Sequence, residues 1–351
     1  MDMTFTPVPE SYRRFAETEC QDAPVYAAWT RAVAGNAELC ERIARLPGPK
    51  RQPNLLFAAA RIRTPERSDG SFELDSLSPE ALVQRLLEAW DGIEHTLLTR
   101  ANQTNEPARS SIHMPLMAEL DRPIALIEVG CSAGLTTIPD RYSYRFRTAR
   151  GTTTADPSDG PSSVLLDCDA DDDAPERLPE IVWRGGIDLN PLDLDPSTPR
   201  GREDLAWMKA LVWPGHEHRA QRLEKAARLA TEQRAREPWT TVTGDLLAEL
   251  PRFVEQAERE APGAAIVVIH TAVIVYLPDP AEFEALMAGL RDRVEWLSCE
   301  GPSVLPGVAG RLGEQAQAAL EPGAFILARN GHPVKQAQSW GYWTRPLPGE
   351  S

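Results

Sequence analysis

Leu82, Leu86, Trp90, Ile93 and Leu97 recur at spacings of four, four, three and four, the apolar stripe of an amphipathic helix. Ser78-Pro79-Glu80 stands at its head. Serine is a natural N-cap, proline is pre-set for the first helical position, and glutamate suits the positive end of the helix dipole. Residues 24–34 and 36–46 read as two shorter helices, and 65–76 as a loop. The chain is therefore expected to be helical up to about residue 120, as an N-terminal or lid region over 1–120.

After Pro123 the pattern changes to short apolar runs that alternate with helical stretches. Residues 124–129, 181–187, 239–243, 265–270, 294–298 and 325–329 are buried-strand candidates, and 341–345 is a possible last edge strand. Residues 216–236 and 280–293 fit helices; in the second, Phe283, Leu286, Met287 and Leu290 share a face. Strand and helix in alternation predict an α/β fold: a Rossmann-like, doubly wound, mostly parallel sheet over 121–351, its last strand antiparallel. One interval breaks the rhythm. Tyr142-Ser143-Tyr144-Arg145-Phe146 and Ser163-Val164-Leu165-Leu166-Asp167-Cys168 read as an inserted β-hairpin or small subsheet within about 140–180. Asp169 and Asp171 to Asp173 are expected to form a solvated turn.

Composition narrows the function classes. Hydrophobic residues make up 42% of the 351 and charged residues 25%, ordinary values for a globular chain with a full core. A formal net charge of −15 repels phosphate backbones and anionic membranes, so no nucleic acid and no membrane is expected as partner. Cys20, Cys40, Cys131, Cys168 and Cys299 are scattered, odd in number and without a Cys-x-x-Cys pair, which fits free thiols in a reducing compartment. The acidic Met1-Asp2-Met3-Thr4 does not read as a signal peptide. A cytoplasmic protein follows as the expectation, and arginine-rich, lysine-poor composition with abundant Ala and Pro points to a GC-rich bacterial genome. The two histidines of His216-Glu217-His218 would diverge by about 200° on a helix, so joint chelation of a metal is not expected.

Candidate chemistry gathers at the predicted strand ends. Glu128-x-Gly130-x-Ser132-x-Gly134 follows the first strand. In open α/β sheets ligands sit beyond the carboxyl ends of strands, where strand order reverses. A glycine turn admits close backbone approach, and a following helix would offer unpaired N–H groups to an anion. Tight strand-to-helix packing is the plainer reading of the same glycines. Asp188, in Gly186-Ile187-Asp188-Leu189-Asn190-Pro191, ends the second strand and could accept both ribose hydroxyls or cap a helix; Asp167 is the rival acid. Asp245, in Thr243-Gly244-Asp245-Leu246-Leu247, could hold an adenine amino group while the Leu246 N–H meets a ring nitrogen, or serve as a helix N-cap. His270, in Ile269-His270-Thr271-Ala272-Val273, is the best general-base candidate, with a structural histidine as the alternative. Tyr276 and Glu300 could face the same cleft. Asn105, Glu106 and Arg109, in Asn102-Gln103-Thr104-Asn105-Glu106-Pro107-Ala108-Arg109, are candidates to line it on the substrate side, or to form an interdomain turn; Lys50-Arg51-Gln52-Pro53-Asn54 is a similar case.

Two resemblances rest on these residues. The strand ends at Glu128-Val129-Gly130, Asp188, Asp245 and His270 look like the successive motifs of class I S-adenosylmethionine-dependent methyltransferases, over about 123–345. Lys50-Arg51-Gln52-Pro53-Asn54-Leu55-Leu56-Phe57, Gln103-Thr104-Asn105-Glu106, the 128–135 turn, Asp188-Leu189-Asn190-Pro191-Leu192-Asp193 and Trp296-Leu297-Ser298-Cys299-Glu300-Gly301-Pro302 resemble a bacterial, actinobacterial-type family known as domain of unknown function 2332. That likeness spans nearly the whole chain and implies no activity. Ser132 in place of the central glycine and the long insertion depart from the methyltransferase pattern.

The expected function is S-adenosylmethionine-dependent methyl transfer to a small-molecule acceptor. Glu128, Gly130, Ser132 and Gly134 would seat the methionine part, Asp188 the ribose, and Asp245 with Leu246 the adenine. A non-catalytic ligand- or partner-binding sheet is the alternative, as is another enzyme on the same fold, a hydrolase or a nicotinamide-dependent oxidoreductase.

Overall fold

The structure is a computed structural model describing residues 6–20, 22–170 and 174–349. Asp171 to Asp173 lie outside the described residues. The chain divides into two compact units, Met1–Thr104 with Pro196–Glu224 and Asn105–Asp195 with Lys225–Ser351. The division falls sixteen residues before the boundary expected at 120, and the helical unit takes back a segment from the middle of the chain.

The helical unit begins with α1 (Val8–Thr18), α2 (Pro24–Gly35), α3 (Ala37–Ala44), α4 (Pro53–Arg61), α5 (Pro79–Glu88) and α6 (Trp90–Thr99). The single helix expected from Ser78 breaks at Ala89, whose φ of −99° and ψ of 10° leave helical geometry. Leu82, Leu86, Trp90, Ile93 and Leu97 are all buried, so the stripe runs on through the break and conceals it. Ser78 is the N-cap, accepting the Ala81 N–H at 3.2 Å. Tyr26 stacks on Trp213 with centroids 4.8 Å apart, and Trp29, Phe57 and Trp207 fill the same core. Arg61 is buried against Asp75 (Nε to Oδ1, 2.9 Å) and donates to the Ala210 carbonyl at 2.7 Å.

The second unit starts with α7 (Ser110–Ala118), then β1 (Ile124–Val129), β2 (Ser143–Thr148), β3 (Gly151–Ala155), β4 (Leu165–Asp169) and β5 (Ile181–Asp188). The chain next forms α8 (Pro199–Ala210) in the helical unit, and α9 (Glu217–Arg236) carries it across the division. β6 (Thr240–Thr243), α10 (Leu246–Glu260), β7 (Ala265–Thr271), α11 (Pro280–Leu290) and β8 (Val294–Glu300) follow. The end of the chain adds α12 (Pro306–Leu312), α13 (Glu314–Ala318), β9 (Ala324–Arg329), β10 (His332–Gln338) and β11 (Thr344–Pro346).

The main sheet has eight strands in the order β11-β10-β9-β8-β7-β1-β5-β6. The strands β6, β5, β1, β7 and β8 are parallel, and β9, β10 and β11 then run as an antiparallel meander. The fold is thus mixed α/β with a large, mostly parallel sheet, and its antiparallel part is three strands rather than the one expected. β1 is buried at every position, as an apolar run covered on both faces must be. Ile127, Val129, Ile187, Val268, Phe283 and Trp296 belong to the core on one face. The insertion forms a separate three-stranded sheet, β3-β2-β4: the hairpin β2–β3 is antiparallel, and β4 pairs with β2 in parallel.

One expectation fails here. No helix follows the glycine turn; the chain passes through turns and the short 3-10 turn Pro139–Arg141 into β2. Thr136, Thr137 and Ile138 are β-branched and Pro139 follows at once, a run that resists helix formation. The anion-binding helix N-terminus expected after Gly134 is therefore absent.

Gly341 fixes the end of the second unit. Its φ is +85°, and a Cβ there would overlap the Ala108 carbonyl and come within 2.8 Å of the Arg109 nitrogen. Gly341→Ala is expected to destabilise this unit by about 2–4 kcal/mol, combining left-handed backbone and overpacking costs. Gly160→Ala, also at positive φ but with open space around it, supplies the control in urea unfolding and should cost less. Equal effects of the two would refute the steric part.

Candidate functional site

All five parallel strands point their carboxyl ends to one edge, which carries residues 130–134, 188–190, 244–246, 272–276 and 300–301. Gly130, Ser132 and Gly134 take φ of 70°, 50° and 74°, so the serine adopts the left-handed conformation its glycine neighbours adopt freely. Protein groups hold the amides of this turn. Gly130 and Cys131 donate to the Ile187 carbonyl at 2.8 and 3.1 Å, Gly134 donates to Cys131 O at 2.7 Å, and Leu135 donates to Asn105 Oδ1 at 2.7 Å. Asp188 takes the Ser132 N–H on Oδ2 and the Asn190 N–H on Oδ1, both at 2.8 Å. The acid is thus brought to the turn. A carboxylate has about four acceptor positions, so two amides leave capacity for a ligand. Over Gly130 stands Val273: a Cβ on that glycine would overlap its side chain.

Glu128 lies buried beside the turn. Its Oε1 accepts the Thr136 hydroxyl, Asn105 Nδ2 reaches Thr136 Oγ1 at 3.2 Å, and Oε2 has no partner. Burial raises its pKa from 4.5 to about 8; the Thr136 bond opposes this, and the Asp188 charge adds to it. Glu128 is therefore mostly protonated at neutral pH. Asn105 ties the start of the second unit to the turn. Glu106 Oε1 accepts the Ala108 N–H at 3.2 Å, and Arg109 donates to Ser339 O at 3.0 Å with its guanidinium over Trp340. Asp245 Oδ1 takes the Leu247 and Ala248 amides at 2.9 and 3.2 Å, the N-cap of α10, and Leu246 begins that helix.

A family model described as an uncharacterized protein conserved in bacteria (DUF2332) matches residues 9–344. The chain belongs to this family. No curated protein and no solved structure matches it. The likeness to class I methyltransferases therefore rests on the short motifs alone.

Within this DUF2332 chain, His270 is buried and both ring nitrogens are committed. Trp296, whose indole N–H can only donate, reaches Nε2 at 2.9 Å, so Nδ1 carries the proton and donates to Glu300 Oε1 at 2.8 Å. Glu300 Oε1 also accepts the amides of Val273 and Ile274 at 2.9 and 3.0 Å. The pair thus anchors the loop that bears Val273, and this geometry leaves His270 no nitrogen to receive a proton from an acceptor. Tyr276 is exposed at the crest of the same loop.

Several residues of this edge were missed in the sequence. Thr136 and Val273 are two; His113 is a third. Its Nε2 meets Thr271 Oγ1 at 2.9 Å while Nδ1 has no partner, and burial, then His270 and Arg109, hold its pKa down at about 3. Reading the sequence as free of a Gly-x-Ser-x-Gly nucleophile elbow is corrected here, because Gly130-Cys131-Ser132-Ala133-Gly134 spells that pattern. An elbow needs a helix after the serine and a base on its hydroxyl. The helix is absent, and neither His113 nor His270 bonds Ser132. Lys50, Arg51, Gln52 and Asn54 are spent inside the helical unit, on Arg100 O, Leu46 O, Asn102 and Trp213 respectively. Among the described residues no His, Cys, Asp and Glu group could hold a metal, and no helix is long and apolar enough to cross a membrane. All five cysteines are buried free thiols.

Proposed function

We propose that the sheet-bearing unit binds an adenosine-bearing small molecule, S-adenosylmethionine foremost, at the carboxyl edge of its parallel strands, in the service of methyl transfer to a small-molecule acceptor. Strand order carries this reading. The order β8-β7-β1-β5-β6 puts the reversal point beside β1, and the glycine turn, Asp188 and Asp245 all stand at that edge. Asp188 would accept the ribose hydroxyls, and Asp245 with the Leu246 N–H would meet the adenine. Leu189, Val275 and Tyr276, all exposed at this edge, offer apolar cover for a purine.

The two ends of the cofactor fare differently. The ribose and adenine end fits the acids available. The methionine end does not fit the turn in this conformation, because protein groups hold its amides, no helix follows, and Val273 packs on Gly130. Those same observations, with both His270 nitrogens engaged, favour a second reading: ligand binding without turnover.

Calorimetry with S-adenosylmethionine and S-adenosylhomocysteine on the full chain tests the proposal. Saturable binding is expected, weakened about ten- to a hundredfold in Asp188→Ala by the lost charge-assisted bonds. No heat with either compound, or binding unchanged by the substitution, counts against it. Binding without methyl transfer to any acceptor supports the second reading.

A further inference from the structure

A cleft of about 180 Å³ opens between the loop joining β3 to β4 and the last turns of α9, within the sheet-bearing unit. The helix contributes Leu229, Glu232, Gln233 and Arg236, spaced as one helical face. The loop contributes Pro157, Asp159, Gly160 and Pro161 among others, and Arg141 joins from the 3-10 turn after the glycine turn. A Cβ on Gly160 would meet nothing, so the space there is open.

Arg141 is the unusual lining residue. Its side chain is 23% exposed, and its buried Nε faces Asp140 Oδ2 at ion-pair range without hydrogen-bond geometry. It lies among carboxylates at ion-pair range: Asp140 at 3.2 Å, Glu237 at 3.8 Å and Asp159 at 3.9 Å. A guanidinium has five donors, and the carboxylates nearest Nη1 and Nη2, those of Asp159 and Glu237, stand beyond hydrogen-bond reach, so these terminal nitrogens can take an oxygen ligand. Arg236 is exposed on the same rim, as are Asp159 and Glu232. The lining thus carries two guanidinium groups and two carboxylates, with Leu229, Pro157 and Pro161 as apolar wall. A simple anion would face the carboxylates and a simple cation the arginines. A molecule carrying both charges satisfies both.

We propose that this cleft binds a small zwitterion, an amino acid or a compound built like one, with its carboxylate on Arg141 and Arg236 and its ammonium at Asp159 and Glu232. The planar guanidinium suits a carboxylate, and the volume suits a molecule of that size. The site is separate from the carboxyl edge, sharing none of the residues assigned there.

The test is calorimetric titration of the full-length protein with each of the proteinogenic amino acids, with butyrate and butylammonium as single-charge controls. At least one amino acid is expected to bind saturably with Kd at or below about 1 mM. Arg236→Ala, a surface change that leaves the fold intact, should weaken it roughly tenfold, and Arg141→Gln at least as much. Butyrate and butylammonium should each bind at least roughly tenfold more weakly. Circular dichroism confirms that Arg141→Gln is folded, and Arg236→Ala decides the question if it is not. No saturable binding by any amino acid, binding that survives Arg236→Ala, or equal binding of a singly charged analogue would overturn the proposal.

Discussion

Replacing Glu128 by glutamine should remove a fall in stability of about 4 kcal/mol between pH 4.5 and 8. The carboxyl has an ordinary value of 4.5 and is raised to about 8 in the folded protein, chiefly by burial. In that window the unfolded chain has shed a proton that the native state keeps. The unfolded state then binds fewer protons, so stability falls as pH rises. The contribution is fully present below 4.5 and is lost as pH climbs through about 8. Glutamine keeps an acceptor for Thr136 but cannot ionise. His113 works in the opposite sense: with its folded value held at about 3, it costs stability as pH drops below 6.5. The wild-type and Glu128→Gln curves must therefore be subtracted, which cancels His113 and every other shared group. Urea unfolding at a series of pH values supplies them. A difference curve flat from pH 4.5 to 8 would mean that Glu128 is not buried as described.

Arg184→Ala is expected to destabilise the sheet-bearing unit by about 3–5 kcal/mol. Arg184 is a charged residue in a buried position of β5, its side chain 4% exposed. It grips Asp140 with both terminal nitrogens, at 2.6 and 3.1 Å, and donates to Thr137 O at 3.2 Å. The pair pins the turn that returns from residues 130–134 onto the neighbouring strand. Deleting the arginine leaves Asp140, 11% exposed, without its fork partner. Arg141, 3.2 Å away, offsets part of the loss, which favours the lower end of the range. The double variant Arg184→Met with Asp140→Leu should recover most of it, because neither charge is then stranded. Equilibrium unfolding in urea, followed by tryptophan fluorescence, gives both numbers. A loss below about 1 kcal/mol for the single variant would put the pair at a solvated surface instead.

Legibility followed apolar periodicity. β1 and β7 open with continuous apolar runs buried on both faces, and β8 keeps Val294, Trp296 and Leu297 buried between polar residues; each is legible within a few residues. β10, His332–Gln338, is largely polar and carried no such signal; its partners β9 and β11 supply its order. The break at Ala89 was invisible because the stripe continues through it. The missing helix after Gly134 was readable in principle, from three β-branched residues and Pro139. At the site, Asp188 meeting the glycine turn follows from its place at a strand end. Arg184, the lone charge inside an apolar strand, and His113, the lone imidazole in an apolar helix, were visible anomalies that went unweighed. Val273 left no trace, since packing against a glycine depends on how two strand ends approach.

The most direct measurement is native mass spectrometry of the intact protein, as purified and after incubation with S-adenosylhomocysteine. An adenosine-bearing site at the carboxyl edge requires a retained or acquired ligand of that mass on the wild-type chain, and its loss from Asp188→Ala. A folded wild-type protein that stays bare under both conditions would contradict it.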